Sequence, residues 1–248
     1  MNEVSPQRTA AMALVEQLRI NGVGHVFCVP GESFLPVLDA LRDSNITVTV
    51  CRHEGGAAMM AEAVGKTTGR PGICFVTRAP GATNALAGVY IAQQDSSPMI
   101  MFVGQVETTV REREAFQELD YRGVFGGLTK WTVEVDDPNR MTEFVSRAFY
   151  TACSGRPGPV VMALPRDVLG KRVDVCDALP FEPIETSPGE EEMARLGELL
   201  AEAKNPLFVL GGSRWTETAR RQIHEFAERT RVPIATSYRR ATLDKALQ

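Results

Sequence analysis

The stretch that decides the fold runs from Gly72 to Gly104 and reads GICFVTRAPGATNALAGVYIAQQDSSPMIMFVG. Two apolar runs, GICFVT and PMIMFVG, have the length and composition of buried strands. Between them, GATNALAGVYIAQQD predicts one helix. A strand, a helix and a second apolar strand in this order predict a βαβ unit, whose strands are parallel.

The same alternation extends on both sides of this unit. Predicted helices are RTAAMALVEQLRING, SFLPVLDALRDS, GGAAMMAEAVGKTTG and RMTEFVSRAFYTACSG, and predicted strands are HVFCVP, ITVTV and PVVMALP. In the second helix we expect Ser33 to be the N-cap and Pro36 to lie in the first turn. Residues 105–137 are less regular than the rest of this region. The sequence therefore predicts an α/β fold with an open, mostly parallel sheet and helices on both faces.

A change in composition at residues 178–194, ALPFEPIETSPGEEEMA, indicates a linker between domains. We expect a first domain over residues 1–180, a linker over 181–193 and a second, partial α/β domain over 194–248. The second part holds the predicted helices EEMARLGELLAEA and ETARRQIHEFAERT and the predicted strands PLFVLGG and VPIAT. Because this pattern is shorter than the ~100 residues typical of a domain, we expect the chain to be truncated relative to a longer parent.

Composition excludes several classes of function. The chain has 248 residues, is 44% hydrophobic and carries a net charge of −4, and no basic face indicates nucleic-acid binding. No apolar run has membrane-spanning length and no signal pattern begins the chain, so we expect no membrane contact and a cytoplasmic location. Five scattered cysteines predict reduced thiols. Three histidines without a cluster predict no metal site built by the protein alone.

Candidate functional segments follow the predicted strands, where open α/β sheets bind their ligands. They are VPGES (29–33), RHEGG (52–56), RAPGATNALAG (78–88) and the loop segment AFQE (115–118). Each also has a simpler interpretation as an ordinary turn or a loop anchored by its aromatic residue. Neither a dinucleotide fingerprint nor a phosphate-binding P-loop motif is present.

Glu54 is the candidate with the clearest chemistry. It stands at the predicted start of a helix, where a carboxylate can simply stabilise the helix dipole. The alternative follows from its neighbours Ala57, Ala58, Met59 and Met60, which we expect to form an apolar wall. A carboxyl group against such a wall can share a proton with a ligand nitrogen.

The order of the motifs carries a resemblance to a known family. From the amino terminus the chain reads VPG, RHE, APGATN, AFQE, TKW and SGRPGPVVMALPRDV. It resembles, over essentially its whole length, the thiamine diphosphate-dependent enzymes of the acetolactate synthase (acetohydroxyacid synthase) type. The resemblance implies a pyrimidine-binding domain over residues 1–180, followed by the start of a central domain. It also implies decarboxylation and carboligation of 2-keto acids, such as pyruvate to 2-acetolactate in branched-chain amino acid biosynthesis.

The resemblance implies cofactor-binding roles position by position. Glu54 matches the glutamate that hydrogen-bonds N1′ of the cofactor's aminopyrimidine and so promotes loss of the thiazolium C2 proton. The other positions implied to contact the cofactor near this ring are Pro30, Gly31, Pro80, Gly81 and Asn84. Arg156 matches an arginine that contacts FAD in flavin-containing members, so FAD is a possible second cofactor. Lys130 matches a family lysine.

The resemblance also implies a catalytic role for Gln117 beside that of Glu54. The implied substrate-contacting residues are Glu32, Ser33, Phe116, Gln117 and Arg166. Three departures from the family lie in or beside this set. Gly31-Glu32-Ser33 replaces the usual Gly-Gly-Ala, Arg78-Ala79 replaces Ser-Gly, and Arg166 replaces lysine. A carboxylate at Glu32 would repel an anionic 2-keto acid unless it points away or pairs with a cation.

The family binds the diphosphate and Mg²⁺ through a C-terminal domain with a GDG motif, and no GDG occurs in this sequence. We therefore expect Mg²⁺ to be bound outside this chain and the isolated chain to be inactive. The resemblance implies a homodimer or homotetramer assembled through the pyrimidine-binding domain. Two alternatives remain: another thiamine diphosphate-dependent 2-keto acid or acyl-CoA decarboxylase or lyase, and a non-catalytic α/β module that only binds or dimerises.

Overall fold

The computed structural model of the protein describes residues 8–212 and 215–237. The chain divides into two compact units, residues 1–183 and 184–248. Part of the predicted second domain, residues 213–214 and 238–248, lies outside the described residues. The predicted domain boundaries at residues 180 and 193 stay a prediction.

A six-stranded parallel sheet forms the centre of the first unit, which confirms the predicted α/β class. The strands described in this unit are β1 (Arg8–Thr9), β2 (His25–Cys28), β3 (Thr47–Val50), β4 (Gly72–Val76), β5 (Met99–Gln105), β6 (Trp131–Glu134), β7 (Pro159–Pro165) and β8 (Arg172–Val173). Their order in the parallel sheet is β3-β2-β4-β5-β7-β6, and β1 and β8 form a separate antiparallel pair. Every residue of β4, β5 and β7 is buried, as expected for central strands covered on both faces.

Helices cover both faces of the sheet. The helices described in the first unit are α1 (Ala10–Ile20), α2 (Leu35–Arg42), α3 (Glu54–Thr68), α4 (Gly81–Asn84), α5 (Leu86–Asp95), α6 (Tyr121–Phe125), α7 (Met141–Cys153) and α8 (Arg166–Leu169). Alternate strand residues point to opposite faces. Ile73 and Phe75 therefore pack in one core with α1, α2, α7 and α8, while Cys74 and Val76 pack in another with α3, α5 and α6.

The expectation that Ser33 caps a helix is wrong. Glu32–Phe34 forms a 3₁₀ turn and α2 begins at Leu35, with Pro36 in its first turn as expected. The Ser33 hydroxyl is buried and lies 3.0 Å from the hydroxyl of Thr77. The Ser33 hydroxyl, which the local pattern predicts to cap the helix, thus forms a tertiary hydrogen bond instead.

Two further expectations need revision. The helix predicted after β4 is divided into α4 and α5, and the Ala85 amide is shared between the carbonyls of Gly81 and Ala82 at 3.3 and 3.2 Å. The less regular stretch, residues 105–137, contains two elements that were not predicted, α6 and strand β6 at the edge of the sheet. Only Val133 is buried among the four residues of β6, so the strand lacks the apolar run of its neighbours.

The second unit contains all four elements predicted for it. They are α9 (Glu190–Glu202), β9 (Phe208–Leu210), α10 (Glu217–Thr230) and β10 (Ile234–Thr236). Strands β9 and β10 pair in parallel, which is the arrangement of a βαβ unit. Within residues 8–212 and 215–237, no helix is both long and apolar enough to cross a membrane.

Candidate active site

The candidate residues gather at the carboxyl edge of the parallel sheet. Glu32 follows β2, Glu54 follows β3, Arg78 follows β4 and Arg166 follows β7. Because the six strands are parallel, segments that follow different strands lie along the same edge. This is the edge at which open α/β sheets place their ligands.

Glu54 is the first residue of α3, and its carboxylate is held in place by the neighbouring turn. The His53 side chain caps the helix, with Nδ1 accepting the Gly55 amide at 3.0 Å. The Asn84 side-chain amide donates to Glu54 Oε2 at 3.0 Å. The carboxylate and amide that the sequence assigned to one ring-binding site are therefore in direct contact.

Two glycines at this edge leave space that a side chain would fill. A Cβ on Gly81 would lie 3.0 Å from Glu54 Oε1 and 2.9 Å from the Thr77 methyl group. A Cβ on Gly31 would lie 2.5 Å from Cβ of Thr77. Pro30 and Pro80, which precede these glycines, are exposed at the same edge. Backbone can therefore approach the Glu54 carboxylate where any larger residue would displace it.

Thr77 joins these positions, although it belongs to none of the candidate segments found in the sequence. Its hydroxyl contacts Ser33, and its methyl group faces the space above Gly81. The available signal was its place as the last residue of the run GICFVT, immediately after β4. A residue at that place necessarily lies at the ligand-binding edge.

The prediction of an apolar wall beside Glu54 is wrong for two of its four residues. Ala57 and Ala58 are fully buried, whereas Met59 and Met60 are 44% and 45% exposed. One turn of α3 carries all four residues, so only some can face the sheet. The two alanines pack in the core, whereas the two methionines are about half exposed, with Met60 Sδ lying 3.9 Å from Cys51 Sγ.

The departure at Glu32 is matched by cations. Its carboxylate pairs closely with the Arg78 guanidinium, and its second oxygen lies 3.4 Å from Nη1 of Arg166. The exposed fractions of the side chains are 55% for Glu32, 12% for Arg78 and 50% for Arg166. The condition under which Glu32 would tolerate an anionic substrate, pairing with a cation, is therefore met.

Phe116 and Gln117 lie on the loop that follows β5. Glu118 fixes this loop by accepting the amides of Glu112 at 2.6 Å and Ala115 at 3.1 Å. The same amides lower the pKa of the Glu118 carboxyl, with the Glu112 amide the largest cause. Phe116 is 82% exposed and Gln117 has a φ of 67°, a backbone conformation that non-glycine residues rarely adopt. Their roles toward a substrate stay a prediction.

A carboxylate at the end of β6, only 11% exposed, supports the base of this loop. Glu134 Oε1 lies 2.7 Å from Nη1 of Arg111, and Gln105 donates to its other oxygen at 3.3 Å. Burial raises the pKa of the Glu134 carboxyl, and the Arg111 charge opposes that rise. Gln105 also donates to the Leu119 carbonyl at 3.0 Å, so it ties the loop to β5. This support could not be predicted, because β6 itself was not predicted.

Arg156 and Lys130 lie at the opposite, amino edge of the sheet. Arg156 donates to Ser96 Oγ at 2.7 Å, and Lys130 donates to the Ser154 carbonyl at 2.5 Å. The structure thus does not bring these two residues together with Glu54, and the FAD contact expected of Arg156 stays a prediction. Among the residues that the structure describes, no group of three or more His, Cys, Asp and Glu side chains is placed to hold a metal ion.

Comparison with known proteins agrees with the α/β fold and identifies its family. A protein-family model described as the N-terminal TPP binding domain of thiamine pyrophosphate enzymes matches residues 8–124. The family model of their central domain matches residues 193–243. Thiamine pyrophosphate is another name for thiamine diphosphate.

The most similar relatives include three proteins named as acetolactate synthases. The chain is 35% identical to the large subunit from Corynebacterium glutamicum, covering 94% of this chain and 38% of that protein. It is 34% identical to the acetolactate synthase of Arthrospira platensis, covering 92% and 41%. It is 35% identical to the isozyme 2 large subunit of Escherichia coli, covering 90% and 41%. The chain spans about two fifths of the length of these relatives, and it belongs to the thiamine pyrophosphate enzyme family.

Proposed function

We propose that this chain supplies the aminopyrimidine-binding, proton-relay half of a thiamine diphosphate-dependent, acetolactate synthase-like enzyme that acts on 2-keto acids. The observation that carries the proposal is the Glu54 carboxylate, oriented by Asn84 beside the space left by Gly81. The matches to thiamine pyrophosphate enzyme domains and to relatives named acetolactate synthase support it.

The residues at this edge fit an aminopyrimidine ring. Asn84 occupies Glu54 Oε2, and no donor among the described residues hydrogen-bonds to Oε1. That oxygen faces Gly81, where no side chain intervenes. A carboxyl oxygen with an open approach can exchange a proton with a ring nitrogen.

When bound, the cofactor supplies the nucleophilic carbon that adds to the keto group and accepts the electron pair left by carbon dioxide. The chain's own residues have simpler tasks. Glu54 holds a proton at Oε1, and Asn84 keeps the carboxylate oriented by occupying Oε2.

The remaining parts of the proposal concern the complete protein. Mg²⁺ binds with the cofactor's diphosphate outside this chain, and Arg156 is the residue that would meet FAD. The protein acts in the cytoplasm as a homodimer or homotetramer, with a pyrimidine-binding domain over residues 1–180 and a central domain that starts after the linker at 181–193. The division of the chain into compact units near residue 183 supports this boundary.

Glu54→Gln in the complete enzyme tests the proposal. We expect thiamine diphosphate-dependent release of carbon dioxide from 2-keto acids to fall by about 10²-fold or more, the scale of general acid–base catalysis. Glutamine keeps an oxygen that can accept the Asn84 amide, so the melting temperature should barely change.

Glu143→Gln is the matched control. It makes the same chemical change at a half-exposed carboxylate whose ion pair with Arg140 lies away from the site. Its turnover should equal that of the wild type. An unchanged rate in Glu54→Gln would remove Glu54 from the mechanism and with it the proposed function.

A further inference from the structure

Three charged side chains that follow three different strands meet beside the candidate active site. We infer that Arg166, oriented by Glu32 and Arg78, binds a second carboxylate on the 2-keto acid donor, so that the site selects dicarboxylic over monocarboxylic donors. We call Glu32, Arg78 and Arg166 the anion clamp. The inference rests on the proposed function, since it names the substrate class of the same site.

The two arginines of the anion clamp differ in how closely they pair with Glu32. Glu32 and Arg78 form a close pair in which the Arg78 side chain is only 12% exposed. Arg166 stands 3.4 Å from Glu32, beyond the range of about 2.7–2.9 Å for a charge-assisted hydrogen bond. Its guanidinium is half exposed and keeps donors available for a ligand. Two cations and one anion leave the clamp with one positive charge, which favours a further anion.

The clamp is connected to Glu54 through a short series of contacts. Ser33, next to Glu32, lies within hydrogen-bond distance of Thr77, next to Arg78. The Thr77 methyl group in turn faces the space above Gly81, which also borders the Glu54 carboxylate. The clamp therefore lies next to the Glu54 site along the same edge of the sheet, with Thr77 between them.

Guanidinium geometry favours a carboxylate as the ligand. The planar fork of an arginine donates two parallel N–H bonds to the two oxygens of a carboxylate, which a lysine ammonium cannot do. Arg166 stands where the family usually has lysine. Its neighbours in the clamp, Glu32 and Arg78, stand where the family usually has glycine and serine. The three departures that looked independent in the sequence are one set of contacts in the fold.

The carboxylate that the clamp binds is one that the donor retains. A cation on the carboxylate that leaves as carbon dioxide would stabilise the substrate more than the transition state, in which that charge disperses. A cation on a distal carboxylate stabilises both equally, and so contributes to binding without slowing the reaction. The clamp therefore serves a group on the side chain of the 2-keto acid.

Ligand binding to the 248-residue chain tests the inference without any turnover. NMR titrations at one pH and ionic strength would compare 2-oxoglutarate with 2-oxobutyrate, which lacks the distal carboxylate. We expect the wild type to bind 2-oxoglutarate about ten-fold more tightly or better, the value of one hydrogen-bonded charge pair. Arg166→Gln should remove this preference, and Arg166→Lys should keep only part of it.

Arg195→Gln is the matched control, because Arg195 is exposed and pairs with Glu198 in the second unit. It should bind both acids as the wild type does. Amide spectra that coincide away from residue 166 would establish that the Arg166 variants are folded. Equal affinity of the wild type for the two acids, or an unchanged preference in Arg166→Gln, would overturn the inference.

The outcome is separate from that of the Glu54 experiment. If Glu54→Gln turns over normally, the proposed function fails, while the titration still reports on the clamp. In the complete enzyme, Arg166→Gln should raise KM for a dicarboxylic donor at least about ten-fold more than it raises KM for pyruvate as donor. Loss confined to the carboligation of a second, monocarboxylic acid would assign Arg166 to the acceptor and overturn the inference.

Discussion

At the amino edge of the sheet, charged side chains satisfy one another. Lys66 pairs closely with Asp95 and lies 3.9 Å from Glu62, which in turn accepts the Ser97 hydroxyl at 2.7 Å. At the carboxyl edge, by contrast, the Glu54 carboxylate is held from one side only. Glu54 is oriented by Asn84 through one of its oxygens.

The glycines of the two edges differ in the same way. A Cβ on Gly72, at the start of β4, would lie 1.8 Å from the Ala61 carbonyl oxygen, and one on Gly65 would lie 2.0 Å from that of Pro98. Those neighbours are backbone atoms of the core. The neighbours of Gly81 are the ends of the Glu54 and Thr77 side chains. Close packing at the amino edge therefore maintains the fold, whereas close approach at the carboxyl edge maintains an open site.

Gly72→Ala should have the largest effect on stability. The new methyl group meets a backbone carbonyl of α3 that cannot move without displacing the helix. We expect the free energy of unfolding to fall by about 3 kcal/mol or more, at the upper end of overpacking effects. Thermal and urea unfolding of the 248-residue chain would measure it. Gly24→Ala, where no atom lies within 4 Å of the new Cβ, is the control and should stay within about 0.5 kcal/mol of the wild type.

Gly81→Ala should have a small effect on stability and a larger effect on turnover. The added methyl group displaces the Glu54 carboxylate and the Thr77 methyl group, and both can rotate away. We expect a loss of less than about 1 kcal/mol in stability, together with about a ten-fold fall in turnover of the complete enzyme, because a small misplacement of a catalytic group is costly. Melting temperature and carbon dioxide release would be measured on the same preparation. A variant that loses stability but keeps its turnover would erase the distinction between the two edges.

Much of the carboxyl edge could be predicted from sequence because parallel strands all end on one side. The apolar runs fixed the strands, and the residues after them, including Glu54, Gly81 and Asn84, had to lie at one edge. The order of the strands was not available from the sequence. Glu32 and Arg78 are 46 residues apart in the chain and meet because β2 and β4 are neighbours in the sheet.

Predictions from local sequence patterns were wrong where a segment could adopt two arrangements equally well and tertiary packing decided between them. Ser33 is a good helix cap by residue type, but its buried hydroxyl has a partner in Thr77. Met59 and Met60 belong to an apolar run that continues around α3, and the side of the helix that faces the sheet is set by packing against α5 and β4. Neither the hydrogen-bond partner of Ser33 nor the buried side of α3 can be predicted from the sequence of the segment itself.

Glu134 gives the smallest expected effect and tests the support beneath the loop at the carboxyl edge. Burial raises the pKa of its carboxyl above the ordinary value of 4.5, despite Arg111. Between its unfolded and folded pKa values the folded state therefore binds more protons than the unfolded state. The contribution of Glu134 to stability is fully present below the unfolded pKa and falls as pH rises through that interval.

Glu134→Gln removes this titration and keeps a side chain of the same shape. The melting temperature of the wild type minus that of the variant should therefore decrease as pH rises above the ordinary glutamate pKa of 4.5, and become constant once the folded carboxyl has also ionised. Melting curves of both chains over this range, at one ionic strength, would measure it. A difference that grows with pH would mean that the ion pair with Arg111 outweighs burial. An ionised carboxylate would then anchor the loop that carries Phe116 and Gln117. This edge would in that respect resemble the amino edge, where ionised side chains pair with one another.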